Sequence, residues 1–320
     1  MSAMDSMTEI KRGKDHWLFT LLIGFLLSLW GCFGDPEGVV VDFNKTKPVE
    51  RPREMSVDTK RIRVAVGAMI SPKETFAYYQ SLLDYIGGKL DAEVELIQRK
   101  TYEEINELFG KGQIDLAFIC SGPYATGKDI YGFEILATPQ VRGSPFYQSY
   151  LIVNKASPFH TFEDLKGKVF AFTDPNSNTG WLVPVYWLAQ MGERPETFFD
   201  RTIYTYSHDN SILAVGRGLV DGAAIDGLIW EYYHKRRPSL TEQARIIKKS
   251  ETYGIPPLVV SRHLNQQLKD QIRDVVFQMH LEPEGKEILE ELLIDRFIVP
   301  KQNWYSGIVE MAQRVSRDEK

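Results

Sequence analysis

The chain has 320 residues, 43% of them hydrophobic, enough to bury one large core or two moderate ones. Its 38 basic and 43 acidic residues are interspersed, and no basic block offers a footprint for nucleic acid. A net charge of −5 exerts no long-range pull on an anion, so an anionic ligand would have to be held by local dipoles and hydroxyl groups.

The first thirty residues have the pattern of an export signal. Lys11, Arg12 and Lys14 precede an apolar run from Trp17 to Trp30, which ends in Leu29-Trp30-Gly31-Cys32. A basic region, a short apolar stretch and a small residue before the cut describe a secretory signal over residues 1–31. The apolar run is too short for a comfortable membrane span. Cys32 after Gly31 resembles the bacterial lipobox, in which that Cys is acylated and becomes the mature N-terminus. An uncleaved anchor helix would leave the protein on the same membrane face. With Cys32 lipidated, Cys120 has no partner and no internal disulfide is expected. Residues 32–60, rich in Gly, Pro and charge, read as a flexible tether.

The fold is expected to begin at Arg61. Ile62-Arg63-Val64-Ala65-Val66 alternates as a strand, and Lys73 to Leu90 carries apolar residues at helical spacing. A strand over Val94–Ile97, a helix over Tyr102–Phe109 and a strand over Ile114–Ile119 continue the alternation. Strand-like runs follow at Phe133–Ala137 and Tyr147–Val153, with a short helix at Phe162–Lys166. A second series opens at Lys168: strand, polar turn, helix to Met191, strand Thr202–Tyr206, helix Asn210–Leu219, strand Gly222–Ile225 and helix Leu228–His234. Ala244–Ile247 and Leu258–Val260 are further strand candidates, and the tail from Leu264 to Arg317 reads as mostly helical. This is an α/β pattern of βαβ units. It divides into one lobe over 61–149 plus 252–320 and another over 150–251, with seams near Ser149-Tyr150 and Ser250 to Ile255. Two crossings make a hinge, and a ligand would sit in the cleft between lobes.

Within the second series, Asp174-Pro175-Asn176-Ser177-Asn178-Thr179-Gly180 lies between a strand and a helix. The first N–H groups of a helix have no internal acceptors and sit at the positive end of its dipole. Hydroxyl and amide side chains at the cap add donors to the same point, so Ser177, Asn178 and Thr179 are candidate donors to a small oxyanion. Taken alone, Ser177 could instead simply cap its own helix. Ser121 follows the third strand, the sheet end where α/β folds place ligands, and is a further candidate donor. Asp226 could accept from a protonated ligand oxygen or an amine, or cap the helix at Leu228. The chain carries no nucleophile elbow, P-loop, HExxH or CxxC pattern. Cys120 as nucleophile with His208 as base would draw on different lobes, a poor arrangement for a preorganised pair, so no enzyme is expected. No cofactor or metal is expected.

Four segments carry a family resemblance: GSPFYQSYLIV (Gly143 to Val153), FEDLKGKVFAFTDPNSNTGWLVP (Phe162 to Pro184), SHDNSILAV (Ser207 to Val215) and GLVDGAAIDG (Gly218 to Gly227). From Arg61 to about Ile298 the chain resembles the phosphonate/phosphite/phosphate-binding proteins of bacterial ABC importers, in a lipoprotein form. The resemblance implies a two-lobed periplasmic-binding-protein fold, each lobe a mixed, mainly parallel sheet flanked by helices. It implies ligand contacts from Ser177, Asn178 and Thr179, from Tyr147 and Tyr102 on the opposite lobe, and from His208, whose imidazole would become cationic near pH 6.5. The chain departs from the family at Asn178, where Thr is usual, and at Leu228, where aminophosphonate binders carry an acid. Phosphate, phosphite, an organophosphonate or a sulfur analogue therefore all stay open as ligands. The implied protein is a monomer, lipid-anchored in the periplasm or at the cell surface, that hands its anion to an ABC permease. The alternative is a sensing subunit that docks on a membrane kinase or cyclase.

Overall fold

The computed structural model describes residues 60–318 apart from 68. The expected signal, Cys32 and the tether up to residue 59 lie outside the described residues. No helix among the described residues is long and apolar enough to cross a membrane. The first half contains β1 (Arg61–Val66), α1 (Pro72–Leu90), β2 (Glu93–Ile97), α2 (Tyr102–Gly110), β3 (Leu116–Phe118), α3 (Ser121–Tyr131) and β4 (Phe133–Gln140). The chain then crosses through β5 (Phe146–Tyr147) into β6 (Ser149–Asn154), β7 (Val169–Phe172), α4 (Val183–Gln190), α5 (Pro195–Phe198), β8 (Arg201–Tyr204), α6 (His208–Gly216), β9 (Gly222–Asp226), α7 (Gly227–Arg236) and β10 (Ala244–Lys249). It returns through β11 (Tyr253–Gly254) to β12 (Leu258–Ser261), α8 (Gln266–Gln278), α9 (Pro283–Glu291), β13 (Arg296–Ile298) and α10 (Ser306–Asp318).

Two sheets result, ordered β13-β4-β12-β3-β1-β2 and β10-β6-β9-β7-β8. Both are mixed. β1 runs parallel to β2 and β3, and β7 parallel to β8 and β9, while the other pairings in both sheets are antiparallel. The antiparallel share exceeds the mainly parallel expectation. The cause is connectivity: strands that enter a sheet from the hinge, such as β6 and β12, arrive from the opposite direction to those made by βαβ units. The crossings β5 and β11 pair as a two-stranded antiparallel ribbon, with Tyr253 opposite Tyr147 and Gly254 opposite Phe146. Gly254 lets the ribbon lie on the ring of Tyr305, since a Cβ there would come within 2.9 Å of it.

Four elements were not anticipated: α3, α5, β11 and β13. Gly122, Pro123 and Gly127 lower the helix propensity of α3, yet Pro123 falls in the first turn, where its missing N–H is no loss. The edge strand β13 has three residues, too few for a periodic signal. The C-terminal helix α10 buries Ile308, Met311 and Val315 at helical spacing. It lies on both α3 and α4, so it touches helices of both sheets. Each such buried side chain is worth about 1.5–3 kcal/mol relative to exposure.

Candidate functional site

The cradle is built from β7 outward. After Thr173 the chain turns, and residues Asn178–Leu182 form one wide π-type turn that leads into α4. Ser177 caps it: its hydroxyl oxygen accepts from the Gly180 N–H at 3.0 Å. The simpler expectation for Ser177 is thus met, although its O–H proton remains free to donate. Gly180 has no substitute here, since a Cβ would lie 1.7 Å from the Thr173 hydroxyl oxygen. Across the cleft, α3 comes as close as a glycine allows. A Cβ on Gly122 would sit 2.6 Å from the Asn176 carbonyl oxygen and 3.0 Å from the Asn178 nitrogen.

The other candidates come to the same place by different routes. A capping box at Thr101 and Glu104 starts α2, so that Tyr102 is its first residue. Tyr147, on the hinge ribbon, hydrogen-bonds Ser121 through its hydroxyl and accepts from the Asn178 amide nitrogen at 3.2 Å. Tyr206 holds a left-handed backbone with φ of 59°, which sets Ser207 and His208 at the start of α6. His208 Nδ1 accepts from the Asp226 backbone N–H at 3.0 Å. Asp226 caps α7, accepting from the N–H groups of Leu228 at 2.7 Å and Ile229 at 3.4 Å. The structure thus places each described candidate except Tyr147 at a helical start: Tyr102, Ser121, Ser177 to Thr179, His208 and Asp226. Five helical segments begin at candidate residues, where free N–H groups and the positive end of the dipole lie.

Sequence reasoning missed Asp174. Its carboxylate accepts from the Asn176 N–H at 2.8 Å within the cradle and from the Tyr102 N–H at 3.1 Å across the cleft. One buried side chain therefore closes its own turn and caps a helix of the other lobe. Its only sequence signal is an Asp before Pro at the end of a strand. The lobes meet elsewhere too. The His208 N–H donates to the Met69 carbonyl at 2.9 Å, Asp209 accepts from the Ser71 N–H at 2.9 Å, and Arg237 pairs with Glu74 at 2.8 Å.

Several buried polar atoms in this cleft have no protein partner: the hydroxyls of Tyr102, Thr179 and Ser207, the Asn178 amide oxygen and His208 Nε2. Such atoms are rare in folded proteins, because a lost hydrogen bond in a desolvated place costs about 1–3 kcal/mol. Because Nδ1 of His208 accepts a hydrogen bond, the ring proton must sit on Nε2, which makes Nε2–H a donor. Burial pushes the His208 imidazole down to about 3. The expectation of a cationic histidine is therefore corrected: desolvation keeps it neutral. Burial likewise raises the phenols of Tyr102 and Tyr147 well above their usual range, so both remain O–H donors. The Asp226 carboxyl is pushed up to about 7 by burial, against the pull of the two N–H groups it caps. Burial also lifts the Cys120 thiol to about 11, although the Asn178 and Gly122 backbone N–H groups reach toward it. A thiol so raised is a poor nucleophile. No group of His, Cys, Asp or Glu side chains among the described residues could hold a metal ion.

Residues 64–305 match the family model described as the phosphonate ABC transporter, periplasmic substrate-binding protein. The chain is 30% identical over 209 residues to the phosphonates-binding periplasmic protein of Escherichia coli K12, covering 64% of this chain and 62% of that one. It is 24% identical over 189 residues to a probable ABC transporter phosphite-binding protein of Prochlorococcus marinus, covering 53% of this chain and again 62% of the relative. The matched region thus spans less than two thirds of these relatives' length. The crystal structure of a binding-protein component of a Pseudomonas aeruginosa ABC phosphonate transporter superposes with a TM-score of 0.78 at 26% identity, covering 82% of this chain and 88% of that one. The chain belongs to the periplasmic substrate-binding proteins of phosphonate ABC transporters.

Proposed function

We propose that this protein captures a phosphorus oxyanion (a phosphonate, phosphite or phosphate) in the cleft between its sheets and delivers it to an ABC permease. The observation that carries the reading is the set of unpartnered, buried, neutral donors at converging helix starts: Tyr102, Thr179, Ser207 and His208. Hydrogen bonds to a charged acceptor contribute about 1.5–3 kcal/mol each, so a few of them reach micromolar affinity. Ser177 and Asn178 complete the floor, Ser121 and Tyr147 the opposite wall, and Asp226 accepts from a protonated oxygen of the ligand. The lobes are 61–149 plus 252–320 and 150–251, turning about the β5–β11 ribbon. The protein works as a monomer outside the cytoplasm, tethered through lipid on Cys32.

Calorimetry on the full chain in detergent tests this with phosphate, phosphite, methylphosphonate and methanesulfonate. At least one phosphorus anion should bind at micromolar concentration or tighter, and Thr179→Ala should weaken it at least tenfold. Binding of the sulfonate alone, or an unchanged affinity in Thr179→Ala, would overturn the assignment.

A further inference from the structure

The cleft continues past the anion site. A cavity of about 1020 Å³ opens beside it and shares Tyr147 and Asp226 with it. That volume lies at the upper end of what holds a drug-sized ligand, about 300–1,000 Å³. Phosphite, phosphate or methylphosphonate has only a handful of heavy atoms, and with its oxygens on the cradle donors it would leave this space almost unused.

The walls say what kind of group the space suits. Besides Tyr147 they include Ile70, Tyr78, Tyr79, Phe118 and Leu228. Aromatic faces and edges of this kind favour a flat apolar group, and ring pairs are worth about 0.5–1.5 kcal/mol beyond their buried area. Full charges also line the cavity, and two of its cations are already engaged. Arg142 pairs with Glu231 at 3.2 Å, and Arg236 donates to the Glu290 carbonyl oxygen at 2.7 Å. The inner carboxylate, Asp226, spends one oxygen on the start of α7. Its other oxygen is the one assigned above to a protonated oxygen of the ligand, which leaves no second carboxylate beside the aromatic wall for an ammonium group. One buried polar atom without a partner, His280 Nδ1, belongs to a residue of the same lining and offers a single point of hydrogen bonding.

We infer that the preferred ligand is an organophosphonate whose carbon-bound substituent is uncharged and ring-sized, with the phosphonate oxygens on the cradle and the ring between Tyr78, Tyr79 and Leu228. This rests on the phosphorus-oxyanion reading above and narrows it to a substrate class.

Calorimetry on the full chain with methylphosphonate, 2-aminoethylphosphonate and benzylphosphonate decides it. Benzylphosphonate should bind at least tenfold more tightly than methylphosphonate, and 2-aminoethylphosphonate no more tightly than methylphosphonate. Leu228→Glu places a carboxylate in the wall at the first turn of α7, where the helix dipole tolerates it. It should reduce the ratio of benzyl to methyl affinity at least tenfold and raise that of 2-aminoethyl to methyl, with an unchanged thermal midpoint as the check on folding. Methylphosphonate binding with benzylphosphonate equal or weaker would overturn this inference and leave the anion site standing. If no phosphorus compound binds, the proposed function falls and this inference with it.

Discussion

The floor of the cleft and its outer rim join the same two lobes by opposite means. At the floor the groups are buried, the unpartnered donors of Tyr102, Thr179, Ser207 and His208 are neutral, and the polar character comes from oriented N–H and O–H dipoles at helix starts. At the rim the contacts are between full charges or between a charge and a half-buried ring. Arg237 reaches Glu74, and the Lys100 ammonium lies 4.5 Å from the centre of the Tyr206 ring. The difference follows from solvent. A fixed dipole in a dry site acts at low dielectric and needs no reorganisation, whereas an exposed ion pair is screened and contributes about 0–1 kcal/mol. In the proposed function, a chain with a net charge of −5 thus needs no buried cation at the site to hold an anion.

Substitutions can break that comparison at either end. The largest effect is expected from Gly180→Ala. With its Cβ 1.7 Å from the Thr173 hydroxyl, the cradle must deform. Ligand affinity should fall at least a hundredfold, and stability by about 1–3 kcal/mol as for other overpacked sites. Near-wild-type calorimetry would mean that the floor is more pliable than its packing implies.

Next in size is the pH response of Asp226. Its folded carboxyl is raised to about 7 from an ordinary 3.8. Between those values the native state keeps a proton that the unfolded chain has lost, so this group makes stability fall as pH rises from about 4 to 7. Asp226→Asn can still cap α7 and should remove that decline, leaving the variant relatively more stable near pH 7 than near pH 4. His208, lowered to about 3, acts in the opposite direction in both proteins, since it favours unfolding as pH falls below about 6.5. Denaturant midpoints across this range give the difference, and parallel curves for the two proteins would refute the assignment.

The smallest effect belongs to the rim. Glu74→Gln should weaken ligand binding at most about threefold, and high salt should erase the difference. A tenfold loss there would show that charge, and not the dipolar floor, governs closure.

Much of this was legible in sequence, and what was not has physical reasons. Strands with alternating or continuous apolar character, such as Ile62–Val66 and Gly222–Ile225, and the long amphipathic helices announce themselves by period. α3 does not, because two glycines and a proline lower its propensity while the packing of Tyr124 and Ala125 restores it. The cradle was visible as a polar turn between a strand and a helix. Asp174 was not, because its partner Tyr102 lies 72 residues away and only closure brings them together. The protonation state of His208 was also out of reach. It depends on complete burial and on the Asp226 N–H, neither of which leaves a trace in local sequence.

Tyr147 stands in two systems at once. Its backbone pairs with Tyr253 in the ribbon that joins the lobes, while its hydroxyl meets Ser121 and the Asn178 amide of the cradle. The backbone of one residue thus belongs to the connection between the sheets, and its side chain belongs to the cradle. Tyr147→Phe keeps the ribbon pairing and removes only the hydroxyl contacts, so it separates the two roles at a single position.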